Sequence, residues 1–226
     1  EPMRKLIQMV HAGESPDIMD FDDIYYFVAK QNGLYQNIKN LIDWNDPKFR
    51  NNKGSSYYDY YVYAGSEPRW VLWYNADLFE KAGLKTPLYY LQRNEWTWAK
   101  LNELAKKLKN DNEGIKGFGA ESGLFETRLA STGKDMIKRD SNGKYVSNLS
   151  DPVFPRIVND WLNMTKEGYY YLGQDGANNF KKGKLAMYIG GKWLSKTYNL
   201  QSQVSSGIIS FVPVPRDEQA DDYYYM

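Results

Sequence analysis

The sequence predicts an α/β protein, on three observations. Trp70 to Tyr74, WVLWY, is a short apolar and aromatic run of the kind that fills a buried strand. Capped helical segments follow it directly. Asn75 stands ahead of Asp77 to Lys81, which Gly83 closes, and Thr97 stands ahead of Leu101, Leu104, Ala105 and Leu108 at helical spacing. Further strand-like runs, Ile115 to Ala120 and Gly207 to Val214, lie among helical ones.

Taken in order, Met3 to Val10 reads as a helix with Leu6, Ile7 and Val10 on one face. Ala12 to Pro16 ends it, and Asp17 to Phe21 reads as a short strand before a helix at Ile24 to Ala29. Asn45 to Ser56 is polar and reads as a loop. Tyr57 to Tyr63 and Trp70 to Tyr74 bracket Ala64 to Arg69, a pattern that suits an antiparallel hairpin. Pro87 is expected to break the chain. Gly117 and Gly119 form no dinucleotide fingerprint, since the third glycine is out of place. Thr127 to Ile137 suggests a helix. Asp140 to Gly143 reads as a turn between Met136 to Arg139 and Lys144 to Val146, because most calcium-loop ligands are missing. Asp151-Pro152 opens a helix through Ile157, Val158, Trp161, Leu162 and Met164, closed by Gly168.

Composition narrows the function. The 226 residues suffice for one or two domains with a real core. A net charge of +1 gives no electrostatic footprint for nucleic acid or an acidic membrane. No run of about 18 apolar residues exists that could span a bilayer. With no cysteine, thiolate catalysis, disulfides and cysteine zinc sites are excluded. The single histidine, His11, reads as a solvated helix residue, and no metal or cofactor is expected. Aromatic content is 16%, led by 20 tyrosines. Such rings pair a flat apolar face with a polar edge and suit sugar rings, although most must serve the core.

Tyr74-Asn75-Ala76-Asp77-Leu78-Phe79-Glu80-Lys81-Ala82-Gly83, then Trp96-Thr97-Trp98, resembles the "YNxDLFxxAG … xTW" signature of the extracellular solute-binding proteins of ABC importers. The match is to the carbohydrate-uptake, maltose-binding-protein-like group. His11 to Ile18 resembles the family's "xAGxxPDI", and Asn178 to Trp193, NNFKKGKLAMYIGGKW, its "xxFxxGKxAMxxxGxW". Gly207 to Pro215 resembles its "ffPxP".

The resemblance implies a two-lobed periplasmic-binding-protein-like (type II) fold, apparently truncated at both ends. Residues 1–73 would be a partial first lobe, 74–215 the second, and 216–226 a return crossing. It also implies reversible binding of a carbohydrate, an oligosaccharide by preference, in the cleft between lobes. The implied partners are membrane permease subunits, for a monomer held outside the cytoplasmic membrane, with room for a lipid anchor on an upstream segment.

Site residues follow from the same source. Trp193 matches a sugar-stacking tryptophan, or packs its helix onto the sheet. Gly190 and Gly191 are expected in a Gly-rich turn that frees helix N–H donors, which makes Gly191 a ligand contact. Phe21 falls where the family stacks sugar, or is a core residue at a strand end. Asp22 and Asp23 beside it contact ligand or complement a helix dipole. Phe125 is a ligand-facing aromatic or a core residue, and Glu67 a ligand contact or an exposed loop charge. The rival reading is a glycoside hydrolase pairing Asp22 with Glu67 or Glu121.

Overall fold

The computed structural model describes residues 2–17, 29–30, 32–43, 45–47, 70–121 and 124–224. The chain divides into two compact units, Glu1–Ser66 and Glu67–Met226. In the first, helix α1 (Pro2–His11) buries Met3 and Leu6 against Ala29, with Ile7, Val10, Leu34 and Tyr35 packed alongside. Gly13 ends it at φ +76°, letting the Glu14 N–H reach back to the Met9 carbonyl at 2.9 Å. His11 is exposed in the last turn of this helix.

The second unit is built on a four-stranded sheet in the order β2-β5-β1-β6. The strands are β1 (Trp70–Asn75), β2 (Lys116–Ala120), β5 (Leu185–Gly191) and β6 (Ile209–Pro213). Strand β1 runs antiparallel to both neighbours, and β2 runs parallel to β5. Leu72 and Tyr74 face one buried cluster, while Val71 and Trp73 face the other. A sheet covered on both sides needs apolar residues at successive positions, hence the unbroken WVLWY run. The hairpin partner expected for β1, Tyr57 to Tyr63, lies outside the described residues. Both edges of β1 are occupied by β5 and β6.

Local chemistry sets the helices. Asn75 caps α2 (Ala76–Lys81) by accepting from the Leu78 N–H at 3.3 Å. Gly83 follows it at φ +67°. Pro87 does not break the chain but opens a one-turn helix, α3 (Pro87–Leu91), since the first helical position has no use for an N–H. Thr97 caps α4 (Trp98–Leu108), whose Trp98, Leu101, Leu104, Ala105 and Leu108 are buried. That helix lies directly on β2: a Cβ on Gly117 would fall 1.9 Å from the Ala105 carbonyl oxygen.

Helix α5 (Leu124–Ala130) begins and ends earlier than the expected span of Thr127 to Ile137. Thr132 Oγ donates to the Leu129 carbonyl at 2.6 Å and Gly133 turns at φ +69°, so Ile137 falls in a strand instead. The expected hairpin is present as β3 (Ile137–Arg139) and β4 (Tyr145–Ser147). The long helix α6 (Val153–Lys166) follows, then α7 (Gly176–Lys181). After β5 come α8 (Leu194–Thr197) and α9 (Gln201–Ser205). Gly190 and Gly191 are not a turn; they are the last two residues of β5, paired with Val71 and Trp70. No helix among the described residues is long and apolar enough to cross a membrane.

Candidate functional site

Three strand ends converge on one edge of the sheet. Strands β2 and β5 are parallel, so their carboxyl ends, Ala120 and Gly191, point the same way. Strand β1 is antiparallel to β5, and its first residue, Trp70, pairs with Gly191 at that edge. In open α/β sheets the space beyond the carboxyl ends of parallel strands is where ligands settle, because the loops leaving them diverge.

Trp193 stands at this edge with 46% of its surface exposed. Its indole lies on Gly191, where a Cβ would come within 2.1 Å of Cζ2. Trp70 meets it edge-on, the ring centroids 5.6 Å apart at 78°. A ring fixed by a glycine behind and a tryptophan beside it, yet still half open, is a preorganised stacking platform. The Gly191 N–H, expected free, instead donates to Glu121 Oε2 at 3.4 Å, and its carbonyl accepts from Trp73 Nε1 at 3.3 Å. Because α8 has four residues and follows Trp193, the glycines do not form a helix N-terminal donor site.

Glu121 links this platform to a cavity of about 470 Å³. Helices α5 and α6 and the 170–174 segment wall the cavity, with Trp98 of α4 also lining it. The 170–174 segment is held against β2: Phe118 N–H donates to the Tyr169 carbonyl at 3.1 Å, and Tyr171 N–H to the Phe118 carbonyl at 2.8 Å. Tyr170 then packs 5.5 Å from Phe118, and burial pushes its phenol up to about 12, so it keeps its proton at neutral pH. The Tyr171 hydroxyl accepts from Asn179 Nδ2 at 2.9 Å. Phe125 lines the cavity and tilts against Phe154, the ring centroids 6.4 Å apart. Trp161 and Leu172 line the same cavity and are 42% and 64% exposed.

Behind the cavity lies a buried ion cluster. Arg128 bonds Asp217, reaches Asp160 at 3.3 Å, and stacks over Trp98 at 4.9 Å. Arg156 grips both oxygens of Asp217, at 2.9 and 3.1 Å. Burial acts to raise the Asp217 carboxyl, but the bonds from Arg156 and Arg128 outweigh it and hold the group below the usual carboxylate range.

Of the sequence-derived site residues, Trp193 and Gly191 share the sheet edge and Phe125 lies on the cavity wall that begins at Glu121. Phe21, Asp22, Asp23 and Glu67 lie outside the described residues, as does the Asp22 of the imagined hydrolase pair. Sequence reasoning missed Trp70, Trp161, Tyr170 and Tyr171 as site residues. The Tyr169-Tyr170-Tyr171 run was visible. Its seat along β2 was not, because it depends on pairing with a strand about fifty residues earlier.

The sequence profile of the family described as bacterial extracellular solute-binding protein matches residues 2–221. The chain belongs to this solute-binding protein family. A binding protein of Brucella abortus strain 2308 is 31% identical over 139 residues, covering 55% of this chain and 31% of that relative. Among solved structures, the sugar-binding protein MalE from Xanthomonas citri superposes with a TM-score of 0.72 at 17% identity, over 95% of this chain and 56% of that one. The GacH receptor of Streptomyces glaucescens, solved unliganded and with acarbose, gives 0.66 at 19% identity, over 96% and 56%. A Listeria monocytogenes ABC substrate-binding protein in complex with cycloalternan gives 0.60 at 20% identity, over 96% and 57%. These likenesses assign the α/β, two-lobed periplasmic-binding-protein-like fold of the solute-binding family. The chain spans a little over half the length of these solved relatives.

Proposed function

We propose that this solute-binding protein is the substrate-binding component of an ABC importer. It reversibly holds a carbohydrate, an oligosaccharide by preference, in a cleft between lobes and leaves it chemically unchanged. The observation that carries the reading is Trp193, a half-open indole backed by Gly191 and braced by Trp70 at the carboxyl edge of the sheet. A flat ring at such an edge stacks on the C–H face of a sugar, while Glu121 beside it accepts hydrogen bonds from hydroxyls. The sugar-binding MalE and acarbose-binding GacH relatives support the choice of ligand class.

In this reading the unit that holds the sheet is the second lobe, 216–226 is the return crossing, and Phe21, Asp22, Asp23 and Glu67 are further ligand contacts. Ligand stabilises the closed form only because it touches both sides at once. The protein works as a monomer outside the cytoplasmic membrane and delivers its ligand to membrane permease subunits. Binding needs no nucleophile or proton relay, and no turnover is expected.

A thermal-shift screen of neutral mono- and oligosaccharides tests the reading. At least one saccharide should raise the melting temperature and be recovered intact. A flat response across the panel would sink the carbohydrate reading, and release of cleaved sugar would replace it with hydrolysis.

A further inference from the structure

We propose that the ligand cavity selects saccharides bearing a protonated amine over their neutral counterparts, and rejects anionic ones. This rests on the carbohydrate reading above and specifies its substrate class.

Among the described residues the cavity carries three carboxylates, Glu121, Glu126 and Asp160, and one cation, Arg128. That guanidinium is 4% exposed and committed to Asp217 and Asp160, with Glu218 at 3.7 Å. It is also turned onto the face of Trp98. It therefore offers no open donor fork to an incoming phosphate or carboxylate. Among the described residues no lysine or arginine forms an ion pair with Glu121 or Glu126, and Glu121 accepts a long hydrogen bond from the Gly191 N–H.

The rest of the wall points the same way. Phe125, Trp161, Tyr170 and Tyr171 make the wall aromatic, and an ammonium group that settles over a ring face is attracted by its quadrupole. A neutral sugar would satisfy the stacking surfaces but leave net negative charge in a partly desolvated space. An ammonium group supplies the missing charge and three donors, and the carboxylates take them up. An anionic sugar would meet like charge, with Arg128 already committed to Asp217 and Asp160.

The test uses gluco, galacto and manno saccharides, each as the neutral, amine-bearing and carboxylate-bearing form. Calorimetry is run at about pH 6, where an amine of α-amino basicity is charged. The amine-bearing member of the series that binds should exceed its neutral counterpart by roughly tenfold, and the carboxylate-bearing one should not bind. Glu121→Gln should erase that ratio by lowering affinity for the amine-bearing saccharide more than for its neutral counterpart. Glu126→Gln, a change at an exposed position, should reduce the ratio without touching folding. Equal or better binding of neutral sugars overturns the proposal and keeps the carbohydrate reading. Binding of no member in any form overturns both.

Discussion

Gly191 and Asp217 show how single residues set this molecule's limits. An added methyl at Gly191 would occupy the space of the indole, 2.1 Å from Trp193 Cζ2. That indole is half exposed, so displacing it gives up little buried surface. Gly191→Ala should therefore weaken saccharide binding with little loss of melting temperature, as calorimetry and a thermal melt would read. A large drop in melting temperature would instead mean that the ring is part of the core. Asp217 is the opposite case, 1% exposed between two guanidinium groups. Removing one partner of such a buried cluster strands the other charges, at a cost of about 3–5 kcal/mol. Asp217→Ala should lower unfolding free energy in urea by that order.

At the scale of elements, close approach of strand and helix governs stability. Gly117 lets α4 sit on β2, with the Ala105 carbonyl where a side chain would begin. Backbone cannot move aside as an indole can, so Gly117→Ala should cost at least about 1–3 kcal/mol of overpacking strain. An unchanged urea midpoint would show that the two elements separate freely. The sequence made some of these elements legible and hid others for a physical reason. The Asn75 and Thr97 caps act within three residues, so composition and spacing reveal them. Trp193 was legible through a motif, and its exposure fits a platform. Gly190 and Gly191 were misread as a turn because their strand state depends on Trp70 and Val71, some 120 positions earlier. The end of α5 was displaced because Thr132 and Gly133 stop it, while the apolar pattern runs on to Ile137. The Arg128–Asp217 pair joins residues 89 apart, and no local pattern announces such a contact.

For the molecule as a whole, one buried cluster ties α5 and α6 to the segment after β6. Its acid is held below the ordinary carboxylate range, so its stabilisation is fully present above the unfolded value of about 3.9 and is lost as pH falls through the lower folded value. Stability measured from neutral pH down to about pH 5 should owe no slope to this group. Below about pH 4 it should fall, and Asp217→Asn should make that acid limb shallower. An identical limb in the variant would remove Asp217 from the acid response. The most direct test of the binding account is a calorimetric titration of a saccharide taken from the thermal-shift screen, comparing the native protein with Trp193→Ala. The account predicts a loss of about 1–3 kcal/mol in binding free energy at an unchanged melting temperature. Equal affinity in the two proteins would contradict it.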